Sequence, residues 1–165
     1  MKYTIDTEFN GFGGELLSLA LVPWDEADLA LYLRVPAPIA PLDPWVAENV
    51  WPLIDACPLE HRLCAMAPVE EWAHRIAAYL TNDGDGRGIP YIIADWPDDI
   101  RYFCEAIVTA PGEMAAIPRL QFDVVRVDPY EAGTASDMAV RHNAYWDALV
   151  LRDHVKLFSA SDCRA

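Results

Sequence analysis

Asp6-Thr7-Glu8 interrupts an apolar opening segment and is followed by Phe9-Asn10-Gly11. In an extended chain, side chains at i and i+2 point the same way, about 7 Å apart, so Asp6 and Glu8 share one face of a strand. Next to buried Tyr3 and Ile5, two unpaired carboxylates would repel each other and resist desolvation. A divalent cation removes that penalty and makes both residues hard oxygen ligands for Mg²⁺ or Mn²⁺. An Asp-x-Glu pair on a solvent-facing strand needs no ion, so the pair takes its meaning from what accompanies it.

Two further groups accompany it. Asp95, Asp98 and Asp99 lie where the apolar run Pro90 to Ala94 meets a following helix, the kind of strand-to-helix junction at which open α/β sheets gather ligands. The alternative role for Asp98 and Asp99 is to complement the positive end of that helix. The second group is His142 and Asp147 in Arg-His-Asn-Ala-Tyr-Trp-Asp-Ala. Five residues turn about 140° around a helix, so the two side chains diverge if both are helical. Asn143, a favoured N-cap, leaves His142 on the loop and Asp147 in the second turn, from which the two can converge on one ion.

These residues need a scaffold. Segments 2–6, 15–23 and 28–34 read as three strands of an antiparallel meander, turning at Gly11-Phe12-Gly13-Gly14 and Trp24-Asp25-Glu26. A proline-rich connection follows, with a short helix after Asp43 that has Pro44 at its first position. Apolar residues at Trp72, Ala73, Ile76, Ala77 and Leu80 predict an amphipathic helix over Glu70 to Leu80, stopped by Asn82-Asp83-Gly84-Asp85-Gly86. Pro90 to Ala94 reads as a buried central strand, Ile100 to Val108 as a helix, Leu120 to Val127 as a strand and Ala144 to Phe158 as the last helix. The order β-β-β-α-β-α-β-α predicts an α/β fold, a mixed sheet flanked by helices, in a single domain over residues 1–165.

Composition narrows the function. The chain is 53% hydrophobic and 23% charged, a globular balance, and no apolar run approaches the ~20 residues of a membrane span. Its opening lacks an apolar signal region, so a soluble, cytoplasmic protein is expected. Cys57, Cys64, Cys104 and Cys163 form no Cys-x-x-Cys pair and read as buried free thiols rather than zinc ligands. His61, His74 and His154 have no partner motif and read as solvated. A formal charge of −14 rules out the basic stripe with which proteins grip long duplex nucleic acid. An acidic chain can still act on a short end when cations meet the phosphates.

In order, Asp6-x-Glu8, a strand-to-helix aspartate and His142-x4-Asp147 resemble the DEDDh group of 3′–5′ exonucleases, a branch of the ribonuclease H-like fold. The opening Asp-Thr-Glu-Phe-Asn-Gly-Phe-Gly-Gly-Glu-Leu-Leu-Ser-Leu-Ala is most similar to the small stand-alone bacterial and phage 3′–5′ exoribonucleases of that group. The resemblance implies that Asp6, Glu8, Asp99 and Asp147 hold two ions, Mg²⁺ or Mn²⁺, and that His142 is the general base. Asp99 is the preferred second aspartate because Ile100-Arg101-Tyr102-Phe103 follows it as apolar helix positions follow the family's residue. The loop before it is shorter than usual, and Asp95 and Asp98 remain alternatives.

The reaction so implied is in-line hydrolysis of the last phosphodiester, releasing nucleoside 5′-monophosphates. The implied partner is single-stranded nucleic acid or a 3′ overhang, RNA before DNA, and a homo-oligomer is compatible with it. Phe9, Phe12 and Trp96 flank the motifs and suit sequence-tolerant stacking on terminal bases, with core packing as their competing role. Arg101, Arg141 and Arg152 are candidates for phosphate, Arg152 equally for a neighbouring acidic residue. Two rival functions share these residues: an inactive module that binds nucleic-acid ends, and a phosphodiesterase acting on small molecules.

Overall fold

The first strand, β1, runs from Lys2 to Phe9 and so carries Asp6, Thr7 and Glu8 inside its ladder rather than beyond its end. A computed structural model describes residues 1–58, 63–82, 89–117 and 119–162. β1 pairs antiparallel with β2 (Leu16–Pro23), and β2 with β3 (Leu31–Arg34), which gives the expected meander. The third strand is shorter than its apolar run, because residues 27–29 coil into a single 3₁₀ turn. After α1 (Pro44–Asn49), a three-residue strand β4 (Cys64–Met66) adds in parallel to β3. The proline-rich composition around it conceals that strand in the sequence.

Helix α2 (Trp72–Asn82) leads to β5 (Tyr91–Ala94), which pairs in parallel with β1, and α3 (Pro97–Ala106) follows directly. A small hairpin, β6 (Val108–Ala110) and β7 (Glu113–Met114), stands apart where the sequence pattern carries the preceding helix on to Val108; α3 ends at Ala106 instead. β8 (Gln121–Val124) then pairs in parallel with β5, and α4 (Ala144–Asp162) closes the described chain. Among the described residues the main sheet is mixed and six-stranded, in the order β4-β3-β2-β1-β5-β8, with four α-helices. No described helix is long and apolar enough to cross a membrane. The expected stop at 83–86, His61 and Cys163 lie outside the described residues.

Alternation along β1 divides its two faces. Tyr3 and Ile5 join Leu17, Leu19, Leu21, Leu33, Trp72, Ile76 and Phe103 in the larger core, beneath α2 and α3. On the other face α4 lies close, because small residues meet there: Ala144 and Ala148 pack with Ala20 and Val22. Thr4 Oγ1 donates to the Ala148 carbonyl at 2.7 Å and fixes α4 against β1. The ends of β1 and β5 therefore open between the N-termini of α3 and α4, where the carboxylates collect.

Three readings of single residues are corrected. His154 is buried, bonded through Nδ1 to Thr134 Oγ1 at 2.8 Å and packed on Phe158, because α4 turns it inward. Cys104 is exposed, whereas Cys57 is buried with its Sγ 3.1 Å from that of Cys64. Asp147 falls in the first turn of α4, not the second.

Candidate metal centre

β1 presents Asp6 and Glu8 to the α4 side, and its register against β2 shifts between Glu8 and Phe9. Such a bulge bends a strand and re-aims its side chains. The turn that follows is tight: a Cβ on Gly14 would stand 1.9 Å from the Asn10 carbonyl oxygen, so only glycine fits. Asn10 ties the turn to the proline-rich segment, donating from Nδ2 to the Pro41 carbonyl (3.0 Å) and accepting at Oδ1 from the Asp43 amide (2.7 Å). Asp43 caps α1 by accepting from the Trp45 amide, with Pro44 at the first position as its sequence predicts.

The intervening residue, Thr7, faces the α3 side. Its amide (3.0 Å) and hydroxyl (2.6 Å) both donate to Asp99 Oδ1. Asp99 is 2% exposed, and its Oδ2 has no hydrogen-bond partner. A buried carboxylate oxygen with nothing to bond is costly unless protonated or matched by a cation. Asp98, one residue earlier, turns outward and accepts from Trp96 Nε1 and Arg101 Nε. The second-motif aspartates thus separate: Asp95 and Asp99 reach the centre and Asp98 does not.

On the α4 side the N-cap works as its sequence predicts. Asn143 is buried, accepts from the Trp146 amide at Oδ1 (3.4 Å) and donates from Nδ2 to the Leu53 carbonyl (2.8 Å). His142 precedes it in the left-handed region at φ 65°, a conformation that reverses the chain just before the helix. Its amide then donates to Asp147 Oδ2 at 2.9 Å. Asp147 Oδ1 accepts from the Tyr130 hydroxyl at 2.5 Å. The His142 ring meets Trp45 edge-on, with centroids 5.1 Å apart.

These side chains fall into two groups that share no residue. One ligand atom from each of Asp6, Asp95 and Asp99 lies within 4.8 Å of the others, and the same holds for Glu8, His142 and Asp147. Both groups line one open cavity of about 320 Å³, with Phe9, Phe12, Trp96, Asp128, Tyr130 and Arg141 on its walls. Phe12 is 82% exposed at its lip, whereas Phe9 is half-buried and stacked on Tyr102 at 4.6 Å. Of the arginines, Arg141 lines the cavity and pairs with Asp128 at 2.6 Å. Arg101 is held by Asp98 and Glu105, and Arg152 by Asp153.

The electrostatics follow from packing acids together out of water. Burial, then the neighbouring Asp99 and Asp147, raise the Asp6 carboxyl well above the usual carboxylate range, and burial with Asp147 and Asp99 does the same to Glu8. Burial pushes Asp99 up to about 7 against its two bonds from Thr7, and Asp147 up to about 7 against those from Tyr130 and His142. Asp95 is pushed up to about 6, again chiefly by burial. His142 shifts the other way, lowered by burial and by Arg141, which keeps its imidazole neutral near pH 7.

The donor set fits a hard divalent cation: the carboxylates crowd together, and no hydrogen bond reaches the Asp6 or Glu8 carboxylate among the described residues. Acidic groups here could hold a metal ion. Sequence reasoning missed Tyr130, Trp45 and Arg126, the last stacked 4.0 Å over Trp96. Asp128-Pro129-Tyr130 carries one usable signal, a turn in which Asp128 accepts from the amides of residues 130 and 131. No protein-family model matches the chain, and neither does any curated protein.

Proposed function

We propose that this chain is a metal-dependent 3′–5′ exonuclease of the DEDDh type, with a ribonuclease H-like fold and RNA as its preferred substrate, releasing nucleoside 5′-monophosphates. The observation that carries the reading is the meeting of Asp6, Glu8, Asp99, Asp147 and His142, from three separate parts of the chain, in one open cavity. The orphaned Asp99 Oδ2 and the unbonded Asp6 and Glu8 carboxylates supply the fit to two ions, Mg²⁺ or Mn²⁺. When bound, such ions would act as Lewis acids on the scissile phosphate and offset the charge that develops there.

The protein's own groups do the rest. Neutral His142 has a free ring nitrogen to accept the proton of an attacking water, and its backbone amide bond to Asp147 sets where the loop stands. Phe12, exposed at the lip, and Trp96, which lines the same cavity and carries Arg126 on one face, offer ring surface on which terminal bases of any sequence can stack. With a charge of −14 the chain has little to hold a long backbone, so a short single-stranded end is the substrate that suits it.

End-labelled single-stranded RNA and matched DNA, each incubated with Mn²⁺, Mg²⁺ or chelator, test the proposal. A ladder shortening from the 3′ end, with 5′-monophosphates as products and RNA the faster substrate, is expected. Hydrolysis confined to small phosphodiesters would replace it with a small-molecule enzyme. Binding of 3′ ends without turnover would replace it with a binding module.

A further inference from the structure

Asp95 stands at the end of β5, four residues before Asp99, and the family pattern has no use for it once Asp99 supplies the second aspartate. Its environment gives it one. The Asp95 carboxylate reaches both Asp6 and Asp99, with one oxygen of each within 4.8 Å of the others. Two oxygens on opposite sides of a six-coordinate Mg²⁺ stand about 4 Å apart, so three oxygens at this spacing need only a small closure to share one ion. A cluster of acids would not establish a site alone. Here the deepest of the three, Asp99, carries a buried oxygen that no donor satisfies, and it lines the same cavity as Asp6 and Asp95.

Among the described residues no cationic side chain bonds to the Asp95 carboxylate, although Arg126 lies close enough to favour its charge. Arg126 stacks on Trp96 and gives its Nη1 to the main-chain carbonyl of Asp95 at 3.2 Å. Arg141 is paired with Asp128, whose carboxylate also accepts from the amides of Tyr130 and Glu131. Besides Asp128, which Arg141 pairs, five carboxylates therefore line the cavity where four would serve.

We propose that Asp95 is a fifth carboxylate ligand, forming with Asp6 and Asp99 one of the two divalent-cation sites. This rests on the cation centre proposed above and assigns a residue to it. The pairing also accounts for the short loop between β5 and α3: with Pro97 opening the helix, Asp95 and Asp99 are brought to the same ion from a strand end and a first helical turn.

The test is titration of the metal-stripped protein with Mn²⁺ and no nucleic acid, followed by calorimetry and by the electron paramagnetic resonance of free Mn²⁺. Asp95→Asn is expected to weaken one of the bound ions at least about tenfold, the lower end of what even outer partners of a metal site contribute. It should also raise the metal-free melting temperature and shrink the rise that Mn²⁺ produces. Asp98→Asn should bind Mn²⁺ as wild type does. If Asp95→Asn keeps wild-type affinity and stoichiometry while Asp6→Asn loses them, Asp95 is not a ligand and the centre stands without it. Unchanged binding in Asp6→Asn as well would remove the centre and this assignment together. If Asp95→Asn and Asp95→Ser both fail to fold without metal, the carboxylate is structural and the proposal is overturned.

Discussion

Replacing Asp99 by Asn should make the metal-free protein more stable, and by an amount that depends on pH. Asparagine keeps an oxygen for the Thr7 amide and hydroxyl, and puts an amide donor where Oδ2 now stands without a partner among acids. The Asp99 carboxyl, ordinarily near 3.8, is pushed up to about 7. A carboxyl that ionises later in the folded protein than in the unfolded chain removes stability as pH rises. The loss accumulates between about pH 4 and pH 7, where the unfolded chain has released the proton and the folded one still holds it. Above that window, keeping Asp99 ionised costs the fold about 4 kcal/mol.

Asp99→Asn should recover much of that amount at pH 8, a rise in melting temperature of roughly 8–16 °C for a chain of this size. Near pH 4.5 the gain should shrink to about 1 kcal/mol, because both forms are then neutral at this position. Mn²⁺ should reverse the order, raising the melting point of wild type and leaving the variant nearly unmoved. Thermal unfolding followed by circular dichroism at several pH values, with chelator and with Mn²⁺, measures all three. An Asp99→Asn protein no more stable than wild type at pH 8, with the same pH dependence, would refute the reasoning. Asp99 would then be a contented partner of Thr7, with no call for a cation.

Asp6→Ala or Glu8→Ala should abolish degradation in the ladder assay while the fold stays intact or becomes firmer in chelator, since each removes a buried charge among like charges. Activity loss with global unfolding by circular dichroism would make the pair structural instead. His142→Ala should lower turnover roughly 10²–10⁴-fold with little change in Mn²⁺ affinity, and should erase the fall in rate that wild type shows below the lowered imidazole pKa. Steady-state rates across pH, paired with calorimetry, check it; near-wild-type turnover would remove His142 as base. Asn143→Ala should cost roughly 1–3 kcal/mol in denaturant unfolding, from the lost cap and the lost bond to the Leu53 carbonyl, which keeps the Ala56 amide as its other donor.

What could be read in the chain was what local chemistry dictates. Strand alternation put Asp6 and Glu8 on one face, Pro44 and Asp43 marked the start of α1, and Asn143 marked the break that lets His142 and Asp147 converge. What could not be read depends on contacts between distant residues. Thr7 and Asp99 are 92 positions apart, and only their bond distinguishes Asp99 from Asp98. β4 has three residues and no alternation long enough to see; its existence follows from the exposed edge of β3. Tyr130 sits in a connection without periodicity, so nothing local says that its hydroxyl will meet Asp147.

Thr7 shows how the two kinds of information join. As the middle residue of Asp-Thr-Glu it points away from its neighbours by the alternation of the strand, toward the side that α3 covers. There its amide and hydroxyl hold one oxygen of Asp99 and leave the other free. One short stretch of β1 thus offers two carboxylates directly and orients a third from the opposite layer of the fold. The acids end up closer together than their charges favour in the absence of a cation, and the conformation that holds them there is stabilised elsewhere, by the core under α2 and α3 and by α4 seated on Ala20 and Val22. A centre assembled in this way would have its ligands in place before an ion arrived, so the ion's binding energy would be set against repulsion already built into the fold rather than against the ordering of loose chain.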